Sequence, residues 1–352
     1  MTRGARTAVA PAGHGQARSA RALLPGLDLV LHRRLVERPV DAWLPLAPGD
    51  RPIVTPGDLV NAGATIAERL REARVVEASG DGELRAGERW SGTSLVAPGK
   101  TGPEAEGELL FESDGRWRVA TGEHHEPLES PVAGVIREVR AGMGIGLRTD
   151  GAGLAGAFAL GGSARGQLDI ATGPDGELLP RSFDVGSAGA ILVVGARIDA
   201  ESLTRARAMG VRGIIVSTLA SKERRDFLAS EARQRAALHR LPPLAVLVLH
   251  GTLRRPIAAP IMTLLERLAG REVAIVGRPP RLVFDPVGVE LPTEPADRVH
   301  VRGGALTGRS GTWAGLAGLR RFAGGTHLEA GFVQFEEDAP IALPLADLER
   351  FD

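Results

Sequence analysis

The clearest pattern along the chain lies between residues 188 and 286, where solid apolar runs alternate with amphipathic stretches. Ala190–Val194, Gly213–Val216, Leu244–Leu249 and Val273–Val276 carry no polar side chain. A strand that is apolar throughout is buried on both faces, as in a parallel sheet covered by helices. The intervening segments supply those helices. Asp199 is a good N-cap, Leu203, Ala206 and Met209 follow at helical spacing, and Gly210 stands where a C′ glycine belongs. Ser221 opens a second helix with Phe227, Leu228, Ala232 and Ala236 on one face. Pro260 suits the first turn of a third, whose stripe of Ile261, Leu264, Leu265 and Leu268 is closed by Gly270. This predicts a central parallel α/β layer over 188–286 with right-handed crossovers.

On either side the texture changes. Residues 23–187 are rich in Gly and Pro with short β-like runs, 287–296 is a Pro-rich linker, and 297–352 is β-rich again. The expected fold class is therefore α+β and multidomain. A β-rich N-terminal domain over 23–187 carries an insertion at about 76–125, with a hairpin expected at Ser113-Asp114-Gly115.

Composition changes this picture little. The chain has 352 residues, 43% hydrophobic and 24% charged, enough for cores of normal size. Its 43 basic and 43 acidic residues cancel, which argues against a protein that coats nucleic acid over its whole surface. Residues 1–22 are rich in Arg and read as a disordered basic arm. Cysteine is absent, which excludes disulfides, thiolate catalysis and Cys-ligated zinc. No apolar run approaches the roughly eighteen residues of a membrane span, and the N-terminus lacks the apolar region of a secretory signal. A cytoplasmic protein that meets no membrane is expected.

Two turn-rich phrases stand out in the N-terminal part, Thr55–Ala67 around Pro56-Gly57-Asp58, and Ser130–Gly144 around Ser130-Pro131 and Gly134. They resemble the two halves of a barrel-sandwich hybrid, the biotinyl/lipoyl-like fold. In its carrier form that family modifies a lysine in a hairpin between the halves. Here the only lysine in the gap is Lys100, without the usual flanking Met and acidic residues. The resemblance therefore implies a structural or binding version, with no cofactor.

Near the C-terminus, Val299 and Val301 alternate as a strand, and Gly304, Gly308 and Gly311 follow at spacings that allow a tight reversal. The segment 298–313 resembles the KOW motif, departing from it where Trp313 replaces a small β-branched residue. The resemblance implies an SH3-like barrel over 297–352, of a kind that docks protein or RNA. Arg302, Arg309, Arg320 and Arg321 beside Trp313 and Phe322 suit phosphate contact and base stacking. The competing reading places Phe322, Phe332 and Phe335 in a small core and leaves the arginines solvated.

Catalytic signatures fail their context. Gly151–Gly156 matches a dinucleotide fingerprint literally, but the preceding segment is polar and no helix follows. Ala97–Thr101 lacks the first glycine of a P-loop. His124 and His125 are adjacent, so a strand would send them to opposite faces, and no metal site is expected. The best ligand position is the carboxyl edge of the α/β sheet, with Arg197, Asp199, Ser217, Thr218, His250 and Thr252. Ser217, His250 and Asp199 can be drawn as nucleophile, base and orienter, although no nucleophile elbow is present. The leading expectation is a non-catalytic binding or scaffold protein with a protein partner. A KOW-type factor tied to RNA, and an enzyme or small-ligand sensor using the sheet edge, are the alternatives.

Overall fold

A computed structural model describes residues 24–352, apart from 48–49, 72–73, 80–83, 86–87, 98–99, 122–123, 180–184 and 237–242. The basic arm expected at 1–22 lies outside the described residues. Among the described residues strands dominate, in several sheets, with three α-helices, which makes this a β-rich α+β fold. Among the described residues no helix is long and apolar enough to cross a membrane.

Strand β1 (Leu31–Arg33) belongs to the far end of the molecule and is taken up below. The N-terminal unit is built from β2 (Val40–Pro45), β3 (Arg51–Pro52), β4 (Leu59–Val60) and β5 (Thr65–Arg71). The chain then makes a separate small barrel of β6 (Arg74–Ala78), β7 (Arg89–Ala97), β8 (Lys100–Ser113) and β9 (Arg116–Thr121). It returns as β10 (His124–Glu129), β11 (Gly134–Arg140) and β12 (Gly144–Thr149). Two sheets result, ordered β10-β5-β3 and β2-β12-β11-β4. In β2, Val40, Ala42 and Leu44 point inward and Asp41 and Pro45 outward, the period of a half-buried strand. The two turn phrases lock onto each other. The Gly57 N–H donates to Ile136 O at 2.8 Å, and the Gly63 N–H to Ser130 O at 2.8 Å.

The small barrel sits where the insertion was expected. Its β8–β9 turn, with Asp114 at φ 54 and Gly115 at φ 70, is the predicted hairpin. Because β5 and β10 pair from Arg71↔His124 onward, the barrel leaves the N-terminal unit through two adjacent strands. Among the described residues its core is Ala78, Leu109, Trp117 and Val119, with Val76, Leu84 and Trp90 half-buried around them.

The central sheet has nine strands. They are β13 (Ala152–Ala155), β14 (Phe158–Leu160), β15 (Ala164–Ile170), β16 (Glu177–Leu178), β17 (Ile191–Ile198), β18 (Gly213–Thr218), β19 (Ala245–Gly251), β20 (Glu272–Gly277) and β21 (Pro280–Phe284). Helices α1 (Ala200–Ala208), α2 (Ser221–Ala236) and α3 (Ala259–Leu268) connect its middle strands. The run β15-β17-β18-β19 is parallel, as the apolar runs predict. The fourth apolar run differs: β20 lies antiparallel to both β15 and β21. An apolar run reports burial on both faces and carries no information about strand direction.

The boundary drawn at 187/188 also cuts through this sheet. β13 to β16, from residues 152–178, are members of it, and their short polar-punctuated runs gave no sign of a buried neighbour. Ala274, Val276 and Val283 of β20 and β21 close the core of the N-terminal unit, so the two units share one hydrophobic interior. Helix α2 departs from expectation as well. Phe227 is buried, but Leu228 is 38% exposed and Ala232 lies at the surface. The helix packs on α1, where the Arg207 guanidinium covers the Phe227 ring at 4.7 Å, so one aromatic anchor replaces a full apolar stripe.

The C-terminal sheet contains β22 (Arg298–Val301), β23 (Ser310–Arg321), β24 (His327–Gln334), β25 (Ile341–Pro344) and β26 (Leu348–Phe351), in the order β1-β26-β22-β23-β24-β25. β1 adds to it in parallel, and Leu27 and Val30 complete its core with Val299, Val301, Trp313, Val333, Phe335 and Leu348. Residues 24–33 thus belong with the C-terminal sheet, not with the N-terminal β-rich unit. Apolar spacing near Leu27 identifies a buried turn but not the sheet it joins.

Candidate functional site at the sheet edge and the glycine loop

The carboxyl edge of β17, β18 and β19 faces the C-terminal sheet. Asp199 caps α1, its Oδ1 accepting the Ser202 N–H at 2.6 Å. Arg197 pairs with Glu177 at 3.5 Å. The buried Ser217 hydroxyl donates to Pro256 O at 3.1 Å, and Thr218 Oγ1 donates to Ala196 O at 2.6 Å. Thr252 is exposed on the loop beyond β19. The serine, histidine and aspartate of the drawn triad are therefore each held by a different structural partner and do not meet.

His250, the last residue but one of β19, lies inside a charged junction. Arg33 Nη1 of β1 approaches His250 Nδ1 at 3.1 Å and Glu349 Oε2 of β26 at 3.3 Å. Arg255, on the loop leading to α3, bonds Glu349 Oε1 at 3.1 Å. Glu349 is almost wholly buried and Arg255 nearly so. The Arg33 guanidinium also lies over the Phe351 ring at 5.5 Å, and His300 meets that ring edge-on. Burial, reinforced by Arg255, Arg33 and Arg302, pushes the His250 pKa down to about 2. It is neutral at physiological pH. Burial lowers the Arg255 pKa too, against the pull of Glu349.

The glycine loop between β22 and β23 closes over this junction. The Gly308 N–H donates to Val301 O at 2.8 Å, and the Arg302 N–H to Asp347 O at 2.7 Å. Gly308, at φ 91, rests on Pro256: an added Cβ would lie 2.5 Å from Pro256 Cγ. Only a cavity of about 10 Å³ remains between Arg255, Ala258, Thr307 and Glu349. That is room for one water-sized group. Two residues proposed for different reasons, His250 of the sheet edge and Arg302 of the glycine loop, are thus brought together, and the latter's charge acts on the former. Arg33, Arg255 and Glu349 were missed. Glu349 left one signal, a carboxylate between the apolar Leu348 and Phe351 of a closing strand.

The other arginines disperse. Arg309 lies over Phe335 at 4.6 Å, while Arg320 lies over Phe332 at 5.7 Å and donates to Ala317 O at 2.9 Å. Arg321 stands at the far end of β23 opposite His327. Trp313 is 3% exposed, with its Nε1–H donated to Pro25 O at 3.2 Å, so its ring offers no stacking face. Phe335 is core, as the competing reading had it, but Phe322 and Phe332 are only half-buried.

A second, polar cleft of about 240 Å³ opens between Asp169, Thr172, Glu177 and Ser187. Among the described residues no three His, Asp or Glu side chains gather in a way that holds a metal. The side chains of His124 and His125 lie outside the described residues. No protein-family model matches the chain, and comparison with curated proteins finds no match.

Proposed function

We propose that this is a non-catalytic binding protein that docks a protein partner through its β modules. In this reading 297–352, completed by 24–33, is a KOW-type SH3-like barrel, and the N-terminal unit is a barrel-sandwich hybrid without a carrier lysine. Lys100 starts β8 of the small barrel and so stands in a different module from the one a carrier lysine would need.

The observation that carries the reading is the outer end of the β23–β24 ribbon. Leu319 is 62% exposed, and Leu316 and Leu328 are exposed with it. Arg320 and Arg321 flank them, and between Ser310 and Gln334 the only carboxylate is Glu329. Apolar side chains held out on a paired ribbon beside arginines fit an apolar, acidic segment of a partner. Glycines at 315 (φ 117) and 318 (φ 67) permit the bulges that turn these leucines away from the core. Meanwhile the sheet edge, where an enzyme of this architecture would work, is roofed by the protein's own C-terminal sheet.

The test is capture with a photo-cross-linker replacing Leu319 in the intact protein, with and without nuclease. A protein adduct that survives nuclease and disappears in an Arg320→Glu background supports the reading. Adducts to RNA alone, or turnover of a defined substrate that is lost in His250→Ala, overturn it.

A further inference from the structure

We propose that the open edge of β23 takes an extended acidic segment of the partner as an added strand, an inference that rests on the docking reading above and names the partner's chemistry and mode of attachment. Beyond Trp313, whose N–H donates to Asp297 O at 2.8 Å, β23 pairs only with β24 among the described residues. The register decides which backbone groups are left over. The Phe322 N–H donates to Thr326 O at 2.9 Å, and Arg321↔His327, Arg320↔Leu328 and Leu319↔Glu329 continue that hairpin without a shift. In an antiparallel pair, bonded and non-bonded positions alternate. Phe322 and Arg320 therefore turn their backbone groups toward β24, while Arg321 and Leu319 turn theirs outward. Among the described residues no backbone group meets them there. Such a row of unpaired N–H and C=O groups is a template for a further strand.

The flanking side chains select what pairs with it. Leu319 and Arg321 share one face of the ribbon, Arg320 and Leu328 the other, and all four are exposed. The Arg320 guanidinium donates to Ala317 O, and neither arginine forms an ion pair among the described residues. A strand laid along this edge therefore fits best with an apolar residue beside Leu319 and carboxylates beside Arg320 and Arg321. Two carboxylates of the protein lie nearby. Glu329 stands opposite Leu319. Asp28 is on the turn whose Gly26 abuts Leu316, four residues or roughly 13 Å of strand from Arg320.

The chain before Leu24 reaches the same edge, since Pro25 O accepts the Trp313 Nε1–H. Residues 1–23 carry four arginines and no carboxylate, so they have the wrong sign to fill the edge and add to its pull on an acidic segment. Backbone groups spaced at the β repeat match a peptide. A nucleic acid would look for an exposed ring, but Phe322 and Phe332 are half-buried and Trp313 is buried.

The experiment is a fluorescence-anisotropy titration of the full chain with an extended peptide of leucine, valine and paired glutamates, followed by amide hydrogen exchange at Leu319 and Arg321. Saturable binding is expected, with both amides slowed by the peptide, and the same peptide with lysine for glutamate is expected to bind at least about tenfold more weakly. Arg320→Glu should weaken binding by a similar factor, and Arg321→Pro, which removes an outward N–H, should weaken it more than Arg321→Gln. Binding that leaves both amides exchanging freely, or equal affinity for the lysine peptide, overturns strand addition while the Leu319 cross-link keeps the docking reading standing. No saturable signal up to about 1 mM peptide overturns it as well, and the docking reading falls with it only if the cross-link also yields no protein adduct. Amides already slowed in the free protein and released by removing residues 1–23 give the edge to the chain's own arm. Tighter binding of a single-stranded oligoribonucleotide overturns both readings.

Discussion

Glu349→Gln removes one charge and almost no volume from the junction, which makes it the sharpest probe of how the C-terminal sheet is fastened. The carboxylate is 2% exposed and holds Arg33 at 3.3 Å and Arg255 at 3.1 Å, so its loss leaves two guanidiniums facing a neutral amide. Breaking one partner of a buried ion pair costs about 3–5 kcal/mol. Arg33 remains 22% exposed and regains some hydration, which favours the lower end, about 3 kcal/mol. At about 2 °C per kcal/mol for a chain of this size, the melting temperature should fall by about 6 °C. Calorimetry and urea unfolding of the variant measure both numbers. Asp41→Asn, which loses an exposed contact to Arg148 at 3.9 Å, serves as control and should change stability by less than about 0.5 kcal/mol. If Glu349→Gln behaves like that control, the junction does not hold the two sheets together and the reasoning is wrong.

Further outcomes follow from the same geometry. His250 has its folded pKa depressed from 6.5 to about 2, so the unfolded chain takes up a proton that the folded chain refuses, and stability must decline as pH falls below about 6.5. The contribution lost by about pH 5 is about 2 kcal/mol, measurable by urea titration across pH, and a His250→Phe variant should lack that part of the slope. Gly308→Ala forces a Cβ against Pro256 at a backbone conformation of φ 91 and should cost about 1–3 kcal/mol in the same assay, where an exposed surface Gly→Ala would show far less. Asp199→Ala removes the α1 cap and should cost about 1 kcal/mol without affecting any partner, by calorimetry and by pull-down respectively.

What the sequence made legible was whatever depends on local periodicity. The α1 cap at Asp199, the α3 stripe from Ile261 to Leu268, the Asp114-Gly115 turn and the three parallel apolar strands are all written in neighbouring residues. What it hid depends on which distant segments meet. β20 has the same apolar texture as β18 yet runs the other way beside β15. Leu27, Val30 and Arg33 fold onto strands some three hundred residues later, where they complete the core and extend the edge of the C-terminal sheet. Trp313 looked like a stacking platform because an aromatic beside arginines has two readings in sequence; burial against Val299, Val333 and Phe335 decides between them. The candidate site was legible in halves. His250 and Arg302 were each visible, but the partners that join them, Arg33, Arg255 and Glu349, carry no local pattern that marks them as neighbours.

The claim that this protein acts by presenting a surface can be put to one direct comparison. Once a captured partner is in hand, its affinity should be measured for the unaltered protein, for Leu319→Glu on the ribbon, and for Ser217→Ala at the roofed sheet edge. The account predicts that Leu319→Glu weakens association by at least about tenfold while Ser217→Ala leaves it intact. The reverse pattern, association indifferent to Leu319 and abolished by the loss of one buried hydroxyl, would contradict it.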